Sequence, residues 1–166
     1  MRIQIPIAVL AGPALLLAAC GKPATSTDQP AGAPEPAAPP ASAPLADARA
    51  KAALASLPAA YQSADLDNGQ AKFALCKSCH TVAEGGGAMA GPNLWGVFGR
   101  KAGTSPGFAY SDGLKASGIV WDAASLDHWI ANPHAVVPTT KMTYLGMPAP
   151  KDRADVIAYL KVATTP

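Results

Sequence analysis

From Phe73 to Val82 the chain reads FALCKSCHTV, a stretch that carries two of the three cysteines of the protein. Cys76 and Cys79 are separated by two residues, and His80 follows the second cysteine directly. Two thiols at this spacing reach adjacent edges of one porphyrin from a single helical turn, and the following imidazole reaches its iron. The stretch therefore predicts one haem c, attached covalently through Cys76 and Cys79, with His80 as an iron ligand.

Two other interpretations of a C-x-x-C pattern are a redox dithiol and half of a zinc site. A thioredoxin-like dithiol belongs in a βαβ pattern, and no alternating strand pattern is found in the sequence. A structural zinc site needs further Cys or His ligands at short spacing, whereas His128 and His134 stand far from the motif. Both alternatives are therefore less favoured than haem attachment.

The overall charge argues against nucleic acid as a partner. The 166 residues carry a formal net charge of +2, with 13 Lys and Arg against 11 Asp and Glu. Nucleic-acid-binding domains are usually far more basic on one face. The chain also lacks a phosphate-binding loop or a paired-glycine nucleotide motif.

The N-terminus has the pattern of an export signal. Residues 1–19 contain one cation, Arg2, followed by an apolar run and small residues. The sequence LAAC, ending at Cys20, resembles the lipobox of bacterial lipoproteins, in which the cysteine is acylated and becomes the mature N-terminus. The alternative is an uncleaved anchor helix over residues 3–19, which is short for a membrane span. Either interpretation predicts a membrane-anchored protein on the periplasmic side of a bacterial cell envelope.

Residues 20–60 are predicted to form a linker. Between residues 21 and 60 there are eight prolines and fifteen alanines among forty residues. Such a composition buries too little apolar surface to offset the entropy of ordering, so we expect a disordered, semi-rigid tether. Its later part, LADARAKAALASL, has a helix-forming composition and is expected to form at most a short helix.

Residues 61–166 have the length of one small domain and are predicted to be all-α. Helices are expected in ADLDNGQAKFALCKSCH, in DAASLDHWIANP with Asp122 as its cap, and in KDRADVIAYLKVAT. The stretches between them are rich in Gly and Pro and are predicted to be loops.

Beyond the haem motif, the domain resembles class I cytochrome c. The resemblance covers residues 64–164 and is carried by CKSCHTV, GPNLWGVFGRKAG, GFAYSD, GIVW, NPHAVVPTTKMTY and VIAYLK. It implies a small fold of helices packed around a covalently bound haem. It also implies that Gly69 and Phe73 on the first of these helices cross Tyr159 on the last.

The resemblance assigns roles to further residues. Met142 matches the sulfur ligand on the opposite face of the haem from His80, although spacing alone leaves Met147 as an alternative. Pro92 matches the residue whose carbonyl accepts the other ring N–H of the haem histidine. The remaining matches are the residues near the haem propionates and the ligand loop, namely Arg100, Tyr110, Trp121 and Thr140.

Two departures from the family pattern affect what we expect. The family's ligand loop commonly has glycine where this chain has Thr139. The lysines that usually surround the haem edge are few, with Lys77, Lys101 and Lys141 as the candidates. Strong electrostatic steering towards an acidic partner is therefore not expected.

If His80 and Met142 both bind the iron, no coordination position remains for a substrate. The resemblance then implies an electron carrier, not an enzyme, working between a quinol-oxidising cytochrome complex and a terminal oxidase or periplasmic reductase. The alternative is a peroxidase-like haem enzyme or gas sensor with an open sixth position. A lipoprotein module that merely mimics the motif is the third hypothesis.

Overall fold

The computed structural model describes residues 43–165, with side chains from residue 46 onwards. The predicted signal peptide, Cys20 and the proline-rich part of the linker lie outside the described residues. The described part contains seven helices, α1 (Ala43–Ala55), α2 (Ala59–Gln62), α3 (Leu66–Lys77), α4 (Asp112–Ala116), α5 (Ala123–Ala131), α6 (Pro133–Val136) and α7 (Pro150–Thr164). In residues 43–165, extended pairing is limited to one isolated antiparallel bridge between Lys101 and Val120. The all-α prediction is confirmed.

Local capping explains where the main helices begin. The Asp65 side chain accepts a hydrogen bond from the Asn68 amide at the start of α3. The Asp122 side chain caps α5 by accepting from the Ser125 amide, and the Ser125 hydroxyl accepts from the Asp122 amide, which completes a capping box. Helix α7 starts with Pro150 in its first turn, where a missing N–H costs nothing. The three predicted helices are therefore found close to their expected bounds.

Helices α3 and α7 cross at Gly69, which allows the two backbones to touch. A Cβ atom added at Gly69 would overlap the Asp155 carbonyl oxygen and lie 2.9 Å from the Tyr159 Cβ. Next to this crossing the rings of Phe73 and Tyr159 are 5.4 Å apart. The expected crossing is thus present, and it anchors the helix that ends in the haem motif.

The core lies between α3, α5 and α7. Its largest contributions come from side chains that are at most 8% exposed, including Phe73, Leu126, Trp129, Ile130, Val156, Ile157 and Leu160. On α5 and α7 these residues recur at helical spacing, as expected for helices that turn one face to a core.

The folded part begins before residue 61, where the sequence suggested the boundary between linker and domain. Helices α1 and α2 pack on α7, and Leu57 is only 5% exposed and belongs to the core cluster. The Gln62 side chain also donates to the Leu57 carbonyl at 2.7 Å. The segment also places Ala53, which is 7% exposed, and the partly buried Leu54 against the core, but its Ala-rich sequence gave little sign of this packing.

No helix in residues 43–165 is long and apolar enough to cross a membrane.

Candidate haem site

A cavity of about 620 Å³ opens between the end of α3, the loops that follow it, and the faces of α5 and α7. This volume lies in the range of cofactor sites. Nine of the residues suggested by the sequence line it, namely Cys76, Cys79, His80, Pro92, Arg100, Tyr110, Trp121, Thr140 and Met142. The fold thus brings together residues that are spread over 67 positions of the chain, from 76 to 142. Cys20 lies outside the described residues.

The end of α3 directs the haem motif into this cavity. The amides of Cys79 and His80 both donate to the Cys76 carbonyl, at 3.0 and 2.9 Å. This tight turn keeps both thiols and the imidazole on one wall. Burial, and to a smaller extent the neighbouring Cys79, raises the pKa of the Cys76 thiol to about 11.

The His80 ring is held in one orientation. Its Nδ1–H donates to the Pro92 carbonyl at 2.8 Å, so Nε2 is the nitrogen left for a metal. Burial lowers the pKa of His80, although the bond to Pro92 acts in the opposite direction. A lowered pKa keeps the imidazole neutral, which is the form that binds iron.

Gly91 packs against the face of this imidazole, a contact that was not predicted from the sequence. A Cβ atom at residue 91 would lie 2.5 Å from His80 Cε1 and 2.9 Å from Nε2. Glycine is therefore required by space at this position, not by its backbone angles, because Gly91 has no positive φ. Gly91 is part of the GPN stretch in the sequence, but its contact with His80 joins residues eleven positions apart, which sequence spacing does not indicate.

Of the two methionines that spacing left open, Met142 lines the cavity and Met147 does not. The Met142 amide donates to the Thr140 hydroxyl at 3.2 Å, and the Thr140 amide donates to the Val137 carbonyl at 3.0 Å. Met147 is 5% exposed, belongs to the core cluster, and donates its amide to the Ile130 carbonyl. Their surroundings therefore suit a ligand and a packing residue, respectively.

Polar groups line another part of the cavity. The Arg100 guanidinium donates to the carbonyls of Trp95 and Asn93 at 2.8 and 2.9 Å, which fixes its position. Burial lowers the pKa of Arg100 and raises that of Tyr110. Trp121 is 9% exposed and packs edge-on against Trp129. These side chains remain hydrogen-bond donors at neutral pH.

The charged side chains that line the cavity suit a ligand with negatively charged groups. Among the described residues that line it are the cations Arg100 and Lys141, together with His80, but no Asp or Glu. Carboxylate groups on a haem would therefore meet donors instead of like charges. Two thiols, a neutral ring nitrogen, a thioether and these donors together form a donor set that fits haem c.

The described residues do not support the alternative of a structural zinc site. Within residues 43–165, no group of three or more His, Cys, Asp or Glu side chains is arranged to hold a metal ion. The described fold also lacks the βαβ unit of a thioredoxin-like dithiol.

Comparison with known proteins gives one consistent result. A family model described as cytochrome c matches residues 66–164, which is more than half of the chain. The chain is 49% identical over 109 residues to cytochrome c2 of Rhodomicrobium vannielii, covering 66% of this chain and 87% of that protein. It is 45% identical over 101 residues to cytochrome c of Chlamydomonas reinhardtii, covering 60% and 90%.

The structural comparison agrees with the sequence comparison. Cytochrome cH from Methylobacterium extorquens is 47% identical, with a TM-score of 0.55, and the match covers 58% of this chain and 97% of that one. The match thus takes in nearly the whole of that solved structure.

Proposed function

Because this chain belongs to the cytochrome c family, whose members carry electrons on one covalently attached haem c, we propose that it is a membrane-tethered carrier with His/Met-ligated iron. It would carry electrons from a quinol-oxidising cytochrome complex to a terminal oxidase or periplasmic reductase. The observation that carries the proposal is that His80 and Met142 line the same cavity as Cys76 and Cys79.

In this proposal His80 Nε2 and the Met142 sulfur would be the two protein ligands of the haem iron. The bound haem supplies the one-electron chemistry, and a thioether ligand favours the reduced ion, which raises the reduction potential. The Pro92 carbonyl and the Gly91 backbone keep the imidazole in place, so little rearrangement accompanies electron transfer. With two protein ligands on the iron, no position would remain for a substrate, which agrees with a carrier rather than an enzyme.

Arg100, Tyr110, Trp121 and Thr140 are proposed to interact with the haem propionates and the ligand loop. Their support is that they line the cavity and that burial keeps Tyr110 protonated, as a donor. Paired in this way, the buried carboxylates would avoid the cost of desolvation without hydrogen bonds.

The mouth of the cavity is the proposed contact surface for redox partners. Leu75 and Leu145 line the cavity and yet are 63% and 86% exposed, so both lie at its opening. Tyr144 also lines the cavity, and burial, together with the nearby Cys76 thiol, raises its pKa. An apolar rim with few cations suits partners that dock through uncharged surface, with little electrostatic steering.

The tether is proposed from the sequence of residues 1–42. Acylation of Cys20 and export would hold the haem domain on the periplasmic side of the membrane. Confinement near a membrane raises the effective concentration of membrane-bound partners.

Carbon monoxide distinguishes the carrier from a haem enzyme or gas sensor. The full chain, matured with a haem-attachment system, should show a single one-electron redox transition. The reduced protein at neutral pH should keep its spectrum under carbon monoxide. Ready formation of a carbon monoxide adduct would contradict His/Met ligation and support an open sixth position.

A cysteine variant tests the tether separately. Wild-type protein is expected in the membrane fraction, whereas Cys20→Ala is expected to lose the lipid anchor and keep its haem, because Cys76 and Cys79 are unchanged. Identical fractionation and an unmodified N-terminus in both proteins would refute the lipoprotein assignment.

A further inference from the structure

Helix α4 touches the loop that carries Met142 through a close contact between Gly113 and Thr139. A Cβ atom added at Gly113 would overlap the Thr139 hydroxyl oxygen and lie 3.3 Å from Val137 Cγ1. Gly113 has no positive φ, so the backbone conformation itself would accept any residue. The requirement for glycine at residue 113 therefore comes from the neighbouring loop.

Thr139 is exposed, but its Cβ carries two heavy atoms, so only one of its three staggered rotamers would turn a hydrogen towards a Cβ at residue 113. The second close neighbour, Val137, is buried and has less room to move. The larger residue of this contact is on the loop, and the glycine is on the helix that faces it.

A second contact joins the Met142 loop to the segment just before α4. The Lys141 ammonium donates to the Ala109 carbonyl at 2.7 Å, across 32 positions of the chain. Between these contacts, the Met142 amide is held by the Thr140 hydroxyl. A shift of Thr139 away from α4 would therefore be passed along three residues to the Met142 sulfur.

We infer that the Gly113–Thr139 contact sets the position of the Met142 loop, which makes Gly113 a positioning residue for the sulfur ligand. This inference rests on the proposed function, because it requires Met142 to bind the iron. It also runs against helix propensity, because alanine is more favourable than glycine inside a helix. Propensity alone predicts that Gly113→Ala stabilises the protein, whereas the contact predicts a weakened iron–sulfur bond.

The test uses the full-length holoprotein with four variants, Gly113→Ala, Thr139→Gly, the double variant, and the control Gly87→Ala. A Cβ at Gly87 would meet nothing within 4 Å, and Gly87 has no positive φ. The readouts are the sulfur-to-iron charge-transfer band of the oxidised protein as pH rises, and binding of carbon monoxide to the reduced protein. Neither readout responds to a loss of packing that leaves the ligand in place.

Gly113→Ala should lose the charge-transfer band at a pH lower by about one unit, a roughly tenfold change in the ligand equilibrium, and should bind carbon monoxide. Removing Thr139 in the double variant should restore both properties, and Gly87→Ala should match the wild type. A wild-type band and pH midpoint in Gly113→Ala would overturn the inference and leave His/Met ligation standing.

Two further outcomes also test the role of Gly113. If Gly113→Ala cannot be recovered with haem, the double variant serves in its place, with a restored band supporting the contact and an absent band overturning it. Absence of the band from the wild type would overturn both this inference and the proposed ligation.

Discussion

Two methionine variants separate a role in binding iron from a role in packing. Met142→Ala removes a half-buried side chain from the cavity wall, whereas Met147→Ala removes a side chain that is 5% exposed in the core. The first should lose the sulfur ligand with modest damage to the fold. The second should keep the ligand and lose stability.

The magnitudes follow from the two environments. Truncating a buried methionine to alanine costs about 2–4 kcal/mol, which in a domain of this size lowers Tm by roughly 10 °C or more. Met142 is only half-buried, so its truncation removes less packing than truncation of Met147, and its main effect is on the iron. Loss of a thioether ligand should lower the reduction potential sharply, because the reduced ion loses its preferred ligand.

The assay records the sulfur-to-iron charge-transfer band, the midpoint potential and thermal unfolding for both variants. We expect Met142→Ala to lose the band and bind carbon monoxide, and Met147→Ala to keep the band with a lower Tm. If Met142→Ala retains the band while Met147→Ala loses it, the assignment of the ligand is wrong.

Three other predictions concern the rest of the molecule. Gly69→Ala should destabilise the fold by about 2 kcal/mol in urea unfolding, because overlap with the α7 backbone outweighs the helix-propensity gain of about 1 kcal/mol; equal or greater stability would mean that the helices can move apart. Burial alone would raise the pKa of Asp155, but hydrogen bonds from Lys151, Asn68 and the Asp65 amide outweigh it and hold this pKa below its usual value. The ionised carboxylate therefore stabilises the fold above its unfolded pKa of about 4 and loses this effect as pH falls through the folded pKa. Asp155→Asn should lower the free energy of unfolding by about 2 kcal/mol at pH 7 and by progressively less in acid. A difference in stability that does not change with pH would contradict this. Finally, electron transfer with a partner should vary little with ionic strength in the wild type and more steeply in Leu75→Lys; a steep salt dependence in the wild type would refute an uncharged docking surface.

The haem motif and the helix starts could be predicted because their chemistry is local. Cys76, Cys79 and His80 lie within five positions of each other, and Asp122 caps a helix that starts at the next residue. The predicted cofactor and the predicted all-α fold are both confirmed. The axial role of Met142 stays a prediction, although its location in the cavity agrees with it.

Contacts between distant segments were beyond the reach of sequence pattern. The fits of Gly91 to His80 and of Gly113 to Thr139 depend on how loops pass each other, which no spacing rule describes. The packing of α1 was missed because an alanine-rich helix has little amphipathic contrast, so the contacts of Ala53 and Leu54 left no clear pattern in the sequence. Spacing could not separate Met142 from Met147, since both follow the same loop, and burial was needed to distinguish their surroundings.

Every role assigned to the cavity depends on one haem being bonded to the polypeptide through Cys76 and Cys79. Intact-mass measurement of the fully denatured chain, after maturation with a haem-attachment system, tests this bond. We expect a single species heavier than the processed polypeptide by one haem, with the red colour retained by the unfolded chain. A denatured chain with the mass of the bare polypeptide, or colour that is extracted into solvent, would contradict it.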